Sequence, residues 1–428
     1  MKFNPAQVRL VKNFSSLALI QATNFVLPLM VIPHQVKVLG IEKFGLVSFA
    51  QVIALYLVIF SEYGFNLSAT KSVSENRNNP EKLRIIFNSV LWARLFLCLI
   101  SFLIILLLTF ILPLFREHYL LFIFSSSMFF GQAVVPVWFF LGMEKMKYIT
   151  YLNVVSKILF TLLTFVVIRD EADYIYTNML HGLGSFVAGI AALLLVKKSF
   201  NINTEWPDIS HIKSTLYDGF AIFISNFATN IYMNINIVIL QFVSSTEVVG
   251  LYSIAEKVLI AGKHLVSVIF QTVYPHACKL KIESSKSLRH FFTRFNYLAG
   301  GGFLFFGIIV YWFSDLIIYL LSNEMNPYSI SLLRHMSFIP LIIGINIAAY
   351  QTMLIYNYKR AFSIIMISAS ILNVVLNVIL GKELGGLGTV YTIAITEAFV
   401  LITMNIYLYI KDGLNYFVNL SPGPLQNT

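Results

Sequence analysis

The sequence predicts an all-α polytopic membrane protein, with about twelve transmembrane helices in two six-helix lobes related by a pseudo-twofold. Three observations carry that prediction. Of 428 residues, 58% are hydrophobic and 12% are charged, about half the charged share of an ordinary soluble domain. Apolar runs of about 20 residues recur along the chain, the length that crosses a hydrocarbon core of about 30 Å. A short polar-to-apolar pattern also returns 205 residues further on.

Taken in order, the apolar runs place helices near 14–36, 45–65, 86–112, 119–141, 148–168 and 174–196. A polar linker follows, and then helices near 216–242, 248–273, 294–314, 328–352, 361–381 and 387–410. The expected organisation is a lobe over 1–200, a cytoplasmic linker over 201–214 and a second lobe over 215–428. The basic start MKFNPAQVRLVKNF is followed by an apolar segment too long for a signal-peptide core, so a retained first helix is expected. Pro28, Pro33, Pro136 and Pro340 fall inside spans and are expected to kink them, whereas Pro113, Pro275 and Pro327 fall near ends.

Charge tests the helix count. Of 30 Lys and Arg, only Lys37, Lys43, Arg116, Arg169 and Lys382 fall on one side of the alternating loops. Arg94, Lys157, Lys257, Lys263 and Arg334 lie within spans, and the other twenty share the opposite side. By the positive-inside rule both termini and the linker are cytoplasmic.

The repeated pattern is Glu-x-x-Gly-Leu-x-Ser-x-Ala, at Glu42, Gly45, Leu46, Ser48 and Ala50 and again at Glu247, Gly250, Leu251, Ser253 and Ala255. At the same offset, Leu83-Arg84 and Phe87 match Leu288-Arg289 and Phe292, and Ala22-Thr23-Asn24 recurs as Ala228-Thr229-Asn230 one residue out of step. An even number of helices per repeat makes the halves parallel, an arrangement that puts a cavity between lobes able to rock. That favours a transporter. Gly45 and Gly250 are expected to cap or tighten the turn into the second helix of each half, with Glu42 and Glu247 as turn residues outside the hydrocarbon.

The residues within spans suggest what such a cavity holds. Lys257 and Lys263 lie nearest mid-span, where a lipid-facing charge is expensive, and should face a wet or paired interior. Arg94, Lys157 and Arg334 sit about two turns in and are also compatible with snorkelling. Glu256 shares a helix face with Lys263, so an internal salt bridge is an alternative to a ligand site. Asn226, Asn230 and Asn234 form an amide stripe, and Asn24 lies on the first helix. Such amides either join helices or present a hydrogen-bonding wall to sugar hydroxyls. Glu62, Glu256 and Glu397 are candidate H+ or Na+ sites, or simply paired residues. More intramembrane cations than carboxylates point to an anionic cargo.

Other classes are disfavoured. No phosphate-binding loop, metal-ligand spacing or Gly-x-Ser-x-Gly appears, so neither an enzyme nor a resident cofactor or metal is expected. Cys98 and Cys278 read as packing residues. The basic balance follows the loops, so no nucleic-acid partner is expected.

Val8-Arg9-Leu10-Val11-Lys12-Asn13-Phe14, Leu39-Gly40-Ile41-Glu42-Lys43-Phe44-Gly45, Gly250-Leu251-Tyr252-Ser253-Ile254-Ala255-Glu256-Lys257 and Gly385-Gly386-Leu387-Gly388 look familiar together. They resemble the polysaccharide-transporter branch of the MATE-like flippases, in particular the Wzx-type O-antigen flippases, over nearly the whole chain. The resemblance implies a protein of the bacterial inner membrane that moves an undecaprenyl-diphosphate-linked oligosaccharide to the periplasmic leaflet by alternating access. Lys257, Lys263, Arg94, Lys157 and Arg334 would hold the diphosphate, and amides such as Asn230 and Asn24 the sugars. Its partners would be the lipid-linked oligosaccharide and membrane lipids, with a polysaccharide polymerase and a chain-length regulator as further candidates. A multidrug or small-molecule antiporter of the same fold is the alternative. A membrane enzyme of polysaccharide assembly is less favoured, because the longest outside loop, near 315–327, is short.

Overall fold

The structure is a computed structural model. It describes residues 5–414 and Tyr416, with side chains from Leu27 onward except at positions 225, 228, 229 and 231–233. Asn24 therefore lies outside the described side chains, as do Ala22, Thr23, Ala228 and Thr229.

Two compact units are present, one running to Asn234 and one beginning at Ile235. The first contains α1 (Pro5–Glu62), α2 (Phe65–Glu75), α3 (Pro80–Ile111), α4 (Pro113–Glu117), α5 (Tyr119–Ser125), α6 (Ser127–Ala133) and α7 (Val137–Gly142). It continues with α8 (Met146–Val167), a 3-10 turn (Glu171–Tyr176), α9 (Thr177–Phe200) and most of α10 (Ile209–Val243). The second unit takes the end of α10, then α11 (Thr246–Glu283), α12 (Ser285–Trp312), α13 (Ser314–Ser322) and α14 (Pro327–Met336). It closes with α15 (Ile339–Ile345), α16 (Ile347–Ile355), α17 (Lys359–Leu384) and α18 (Gly386–Asp412). The division between units thus falls inside α10 and not in the linker before it.

The sequence-derived ranges fall mainly on helix, with breaks inside several of them. Among the described residues, nine helical segments are long and apolar enough to cross a membrane. The α11 helix is not one of the nine; it carries Glu256, Lys257 and Lys263 along its apolar stretch.

The 58 residues of α1 would reach about 87 Å at 1.5 Å per residue, far more than one bilayer crossing. Gly40 divides them: its φ of 74° and ψ of 165° interrupt the helical backbone, whereas Pro28 and Pro33 stand in helical conformation. The break thus falls at Gly40, inside the connection expected between 14–36 and 45–65, where positive φ carries no Cβ penalty. Pro136 does break the fourth apolar run, between α6 and α7, and Pro340 opens α15. Pro275, expected near an end, lies inside α11, which continues to Glu283.

The repeat now has a structural meaning. Gly40 and Ser245, 205 residues apart, both stand immediately before the helical turn that carries the pattern. Ser245 caps α11 by accepting from Val248 N at 3.3 Å. Glu42 and Glu247 are exposed on the first turn, while the glycine, leucine, serine and alanine of each copy are buried. Gly45 and Gly250 are accordingly buried packing residues inside a helix. The turn belongs to Gly40 and Ser245. Asn79 and Ser284, also 205 apart, cap α3 and α12.

On two helices, one in each unit, polar residues are gathered on the buried face. On α3 the residues Phe96, Leu99, Leu103, Leu107 and Phe110 are exposed at helical spacing, while Arg94, Cys98, Ser101 and Thr109 are buried. On α17 the buried stripe is Ile365, Ala369, Asn373, Asn377 and Gly381, against exposed Ile364, Ile367 and Ile371. Asn377 joins its neighbours through Asn236 and Thr389, both at 2.8 Å. This is the expected pattern where lipid replaces water outside and amides tie helices together.

The linker after α9 is strapped to the first unit. Asn88 on α3 donates to Asn203 O (3.0 Å) and accepts from Glu205 N (2.8 Å). Trp92 donates to Glu205 O at 2.9 Å, its ring lies 4.3 Å from that of Trp206, and Ile202 is buried in the unit's core. Replacing Asn88 with Leu removes both linker hydrogen bonds, a loss of about 1–2 kcal/mol. Limited proteolysis of that variant should cut within 201–208 several-fold faster than in the wild type. An unchanged cleavage rate would show that Asn88 does not hold the strap.

Candidate functional site

The first unit holds a partly open cavity of about 520 Å³. Its walls come from α1, the turn after it and the start of α2, from α6, the break after it and the start of α7, and from α8, α9 and α10. The polar lining is Glu62, Asn66, Gln132, Asn153, Ser156, Lys157, His181, Ser185, Asn226 and Asn230.

Local backbone features bring these residues together. Gly64 ends the turn between α1 and α2 with φ of 75°, and a Cβ there would lie 2.7 Å from Ile222 of α10. Only glycine lets α10 approach so closely, which places Asn226 and Asn230 at the cavity. On α9, Gly182 packs against the backbone of Ser127 and Met128, and Gly184 against Ser156 O. These glycines set α9 against α6 and α8, leaving His181 facing Lys157.

Lys157 Nζ lies 3.0 Å from His181 Nε2, and the imidazole also meets Phe160 edge-on at 5.0 Å between ring centres. No carboxylate is within 4 Å of Lys157 among the described residues. Asn230 Nδ2 donates to Asn226 O at 2.9 Å, so part of the α10 stripe is spent along its own helix. Asn66, Gln132 and Asn153 make no side-chain hydrogen bond among the described residues and are half-buried at the wall.

Arg94, expected at a ligand, stands behind the wall. It is 2% exposed, and it donates to Gln132 O (2.8 Å) and Val135 O (2.9 Å) while lying 4.0 Å from Glu62 Oε1. Those carbonyls belong to the α6–α7 break, where Pro136 supplies no N–H. The guanidinium adds a second, charge-assisted donor to each carbonyl, beside Val135 N and Val137 N, and holds Glu62 in place.

The remaining candidate residues are in the second unit. Glu256, Lys257 and Lys263 are half-buried on α11, and Glu256 accepts from Tyr252 OH at 3.3 Å. No ion pair within 4 Å joins Glu256 to either lysine among the described residues, although both act on it electrostatically. Arg334 is engaged by Asp315 through both carboxylate oxygens, at 3.0 and 3.1 Å, and by Ser314 Oγ at 2.9 Å. Glu397 is half-buried on α18 and lies near Tyr350.

Of the sequence candidates, Lys157, Glu62 and Asn230 therefore share one cavity, with Arg94 supporting it. Asn66, Gln132, Asn153 and His181 were not singled out in the sequence. For Gln132, Asn153 and His181 the legible signal was their fall within otherwise apolar runs, the same signal that marked Lys157; Asn66 follows the second run in a polar stretch. No cluster of three or more metal-ligating His, Cys, Asp or Glu side chains is present among the described residues.

A bundle with an apolar exterior and a polar cavity within one of its units defines a polytopic α-helical membrane transport protein. The chain belongs to the polysaccharide biosynthesis protein family, whose model matches residues 10–281. It is 28% identical over 415 residues to a "Putative O-antigen transporter" of Escherichia coli (strain K12), covering 96% of this chain and 99% of that one. A protein of the same description from Shigella dysenteriae is 29% identical, covering 92% and 98%. Two solved structures share the fold at 14% identity. One is "Lipid II flippase MurJ, inward closed conformation", with a TM-score of 0.67 over 94% of this chain and 90% of that chain. The other is an inward-facing multidrug resistance MATE family transporter of the MOP superfamily, with a TM-score of 0.68 over 90% and 98%. The resemblance to Wzx-type flippases of that superfamily is thereby upheld.

Proposed function

We propose that the protein is a flippase of the bacterial inner membrane for undecaprenyl-diphosphate-linked O-antigen units, working by alternating access with both termini cytoplasmic. The observation that carries this reading is the cavity of polar side chains around the Lys157–His181 pair, in a chain of the polysaccharide biosynthesis family. The amides and hydroxyls of this cavity suit sugar hydroxyls, and charge-assisted donors elsewhere in the chain would suit a diphosphate where water is sparse. Lys257 and Lys263 on α11 are assigned to the anionic part of the cargo. Glu62, Glu256 and Glu397 are the carboxylates available for H+ or Na+ coupling. A polysaccharide polymerase and a chain-length regulator are the partners that would use the flipped product.

Deleting the gene should abolish O-antigen display and leave unflipped lipid-linked repeat units accumulating in the cytoplasmic leaflet. Intact display together with lost resistance to cationic compounds would instead establish a small-molecule antiporter. Lys257→Ala and Lys263→Ala should each abolish display while the protein still inserts at wild-type level. Normal display in both variants would remove these lysines from the mechanism.

A further inference from the structure

We propose that the cavity of the first unit is a carbohydrate subsite for neutral, hydroxyl-rich sugar, and that the diphosphate of the cargo is bound elsewhere. The inference rests on the flippase reading and says which part of the cargo this cavity takes.

Charge is the first argument. Lys157 and Glu62 are the charged side chains of opposite sign in the lining, and the one cation close behind it, Arg94, is committed to two carbonyls and Glu62. A diphosphate here would face a carboxylate and a single ammonium, and its remaining negative charge would go unmatched in a region poor in water. Burying a charge without a partner is strongly unfavourable. An uncharged ligand incurs no such cost.

Hydrogen-bonding chemistry is the second argument. Asn66, Gln132 and Asn153 each offer an NH₂ donor pair and a carbonyl acceptor at the wall, uncommitted to any other described residue. Sugar hydroxyls both donate and accept, and so do amides; phosphate oxygens only accept, and would leave each amide carbonyl without a donor. Three amides from three different helices or breaks surround one space, which selects for hydroxyls pointing in several directions. No Phe, Tyr or Trp ring is in the described lining, so recognition is of the hydroxyl edges of the sugar more than of its flat faces. At about 520 Å³ the cavity is within the roughly 300–1,000 Å³ of small-ligand clefts.

A cysteine at the apolar part of the lining reports occupancy. In full-length protein with Cys98→Ala and Cys278→Ser, Val58→Cys is labelled with a maleimide in detergent. The probes are N,N′-diacetylchitobiose, a neutral amide-bearing disaccharide, and inorganic pyrophosphate. The disaccharide at tens of millimolar should slow labelling at least threefold, and pyrophosphate should leave the rate unchanged. Ile149→Cys on α8 provides a second reporter if the Val58 variant does not fold. Protection by pyrophosphate, or protection by neither probe at either reporter, overturns the subsite. The gene deletion tests the flippase reading separately: lost display with a reversed labelling pattern would end the subsite and leave that reading standing.

Discussion

Arg94→Met is expected to destabilise the first unit by about 3 kcal/mol, the usual scale for removing one partner of a buried, hydrogen-bonded ion pair. The side chain is almost wholly buried, and its two terminal nitrogens bind Gln132 O and Val135 O. Methionine has similar length but no donor, so both carbonyls lose a charge-assisted bond and keep only the backbone donors Val135 N (3.2 Å) and Val137 N (3.0 Å). Glu62 loses its tether at the same time, and being about a quarter exposed it can turn toward solvent in the cavity, which softens the loss. Thermal unfolding of purified protein in detergent should show a lower midpoint for Arg94→Met. Arg94→Lys should recover only part of it, since one ammonium cannot reproduce the planar fork that reaches both carbonyls. A wild-type midpoint for Arg94→Met would mean that the break is held by other contacts.

Gly182→Leu should be more damaging still. A Cβ at this position would run into Ser127 and lie 2.6 Å from Met128 N, so the obstacle includes backbone that cannot swing aside. Gly131 on α6 faces back toward α9, where a Cβ would lie 3.0 Å from Phe186 N. With glycine on both sides, the helices pack backbone to backbone, and a leucine forces them apart. Overpacking of a close core costs about 1–3 kcal/mol when neighbours can adjust and more when they cannot. Two readouts should move together: yield of monodisperse protein should fall severalfold, and O-antigen display should be lost because displacing α9 separates His181 from Lys157. Gly182→Ala should show the same changes at smaller amplitude. Full yield and display in Gly182→Leu would refute the close-packed interface.

Both variants act through contacts that one sequence does not reveal, and the contrast with what it does reveal is instructive. The helical, membrane-spanning character of the chain was legible because a bilayer demands long apolar runs. The duplication was legible too, and the structure gives it a cause: Gly40 and Ser245 begin equivalent helical turns whose small residues are buried in the same order. The break within α1 was legible as the connection between the ranges 14–36 and 45–65, but its exact residue, Gly40, was not. Proline inside an apolar span is tolerated when neighbouring groups satisfy the backbone, whereas a positive φ at ψ of 165° ends a helix wherever it occurs.

The candidate site was legible only as a pool of polar residues in apolar surroundings. Arg94, Lys157 and Arg334 had the same sequence signature, a cation about two turns into a span. They proved to be a strut behind a wall, a cavity group and the partner of Asp315. In a soluble protein the polar face of a helix points to water, so periodicity tells which side is which. Here lipid and protein interior are both apolar, and helix rotation leaves little trace in the sequence. Asn66, Gln132, Asn153 and His181 could be assembled into one cavity only by close approaches at Gly64, Gly182 and Gly184. The sequence by itself determined the membrane class, the helix order and the duplication, because each depends on composition along the chain. Tertiary structure alone decided which polar groups meet, because that depends on how each helix is turned about its axis and how closely glycine lets its neighbours come.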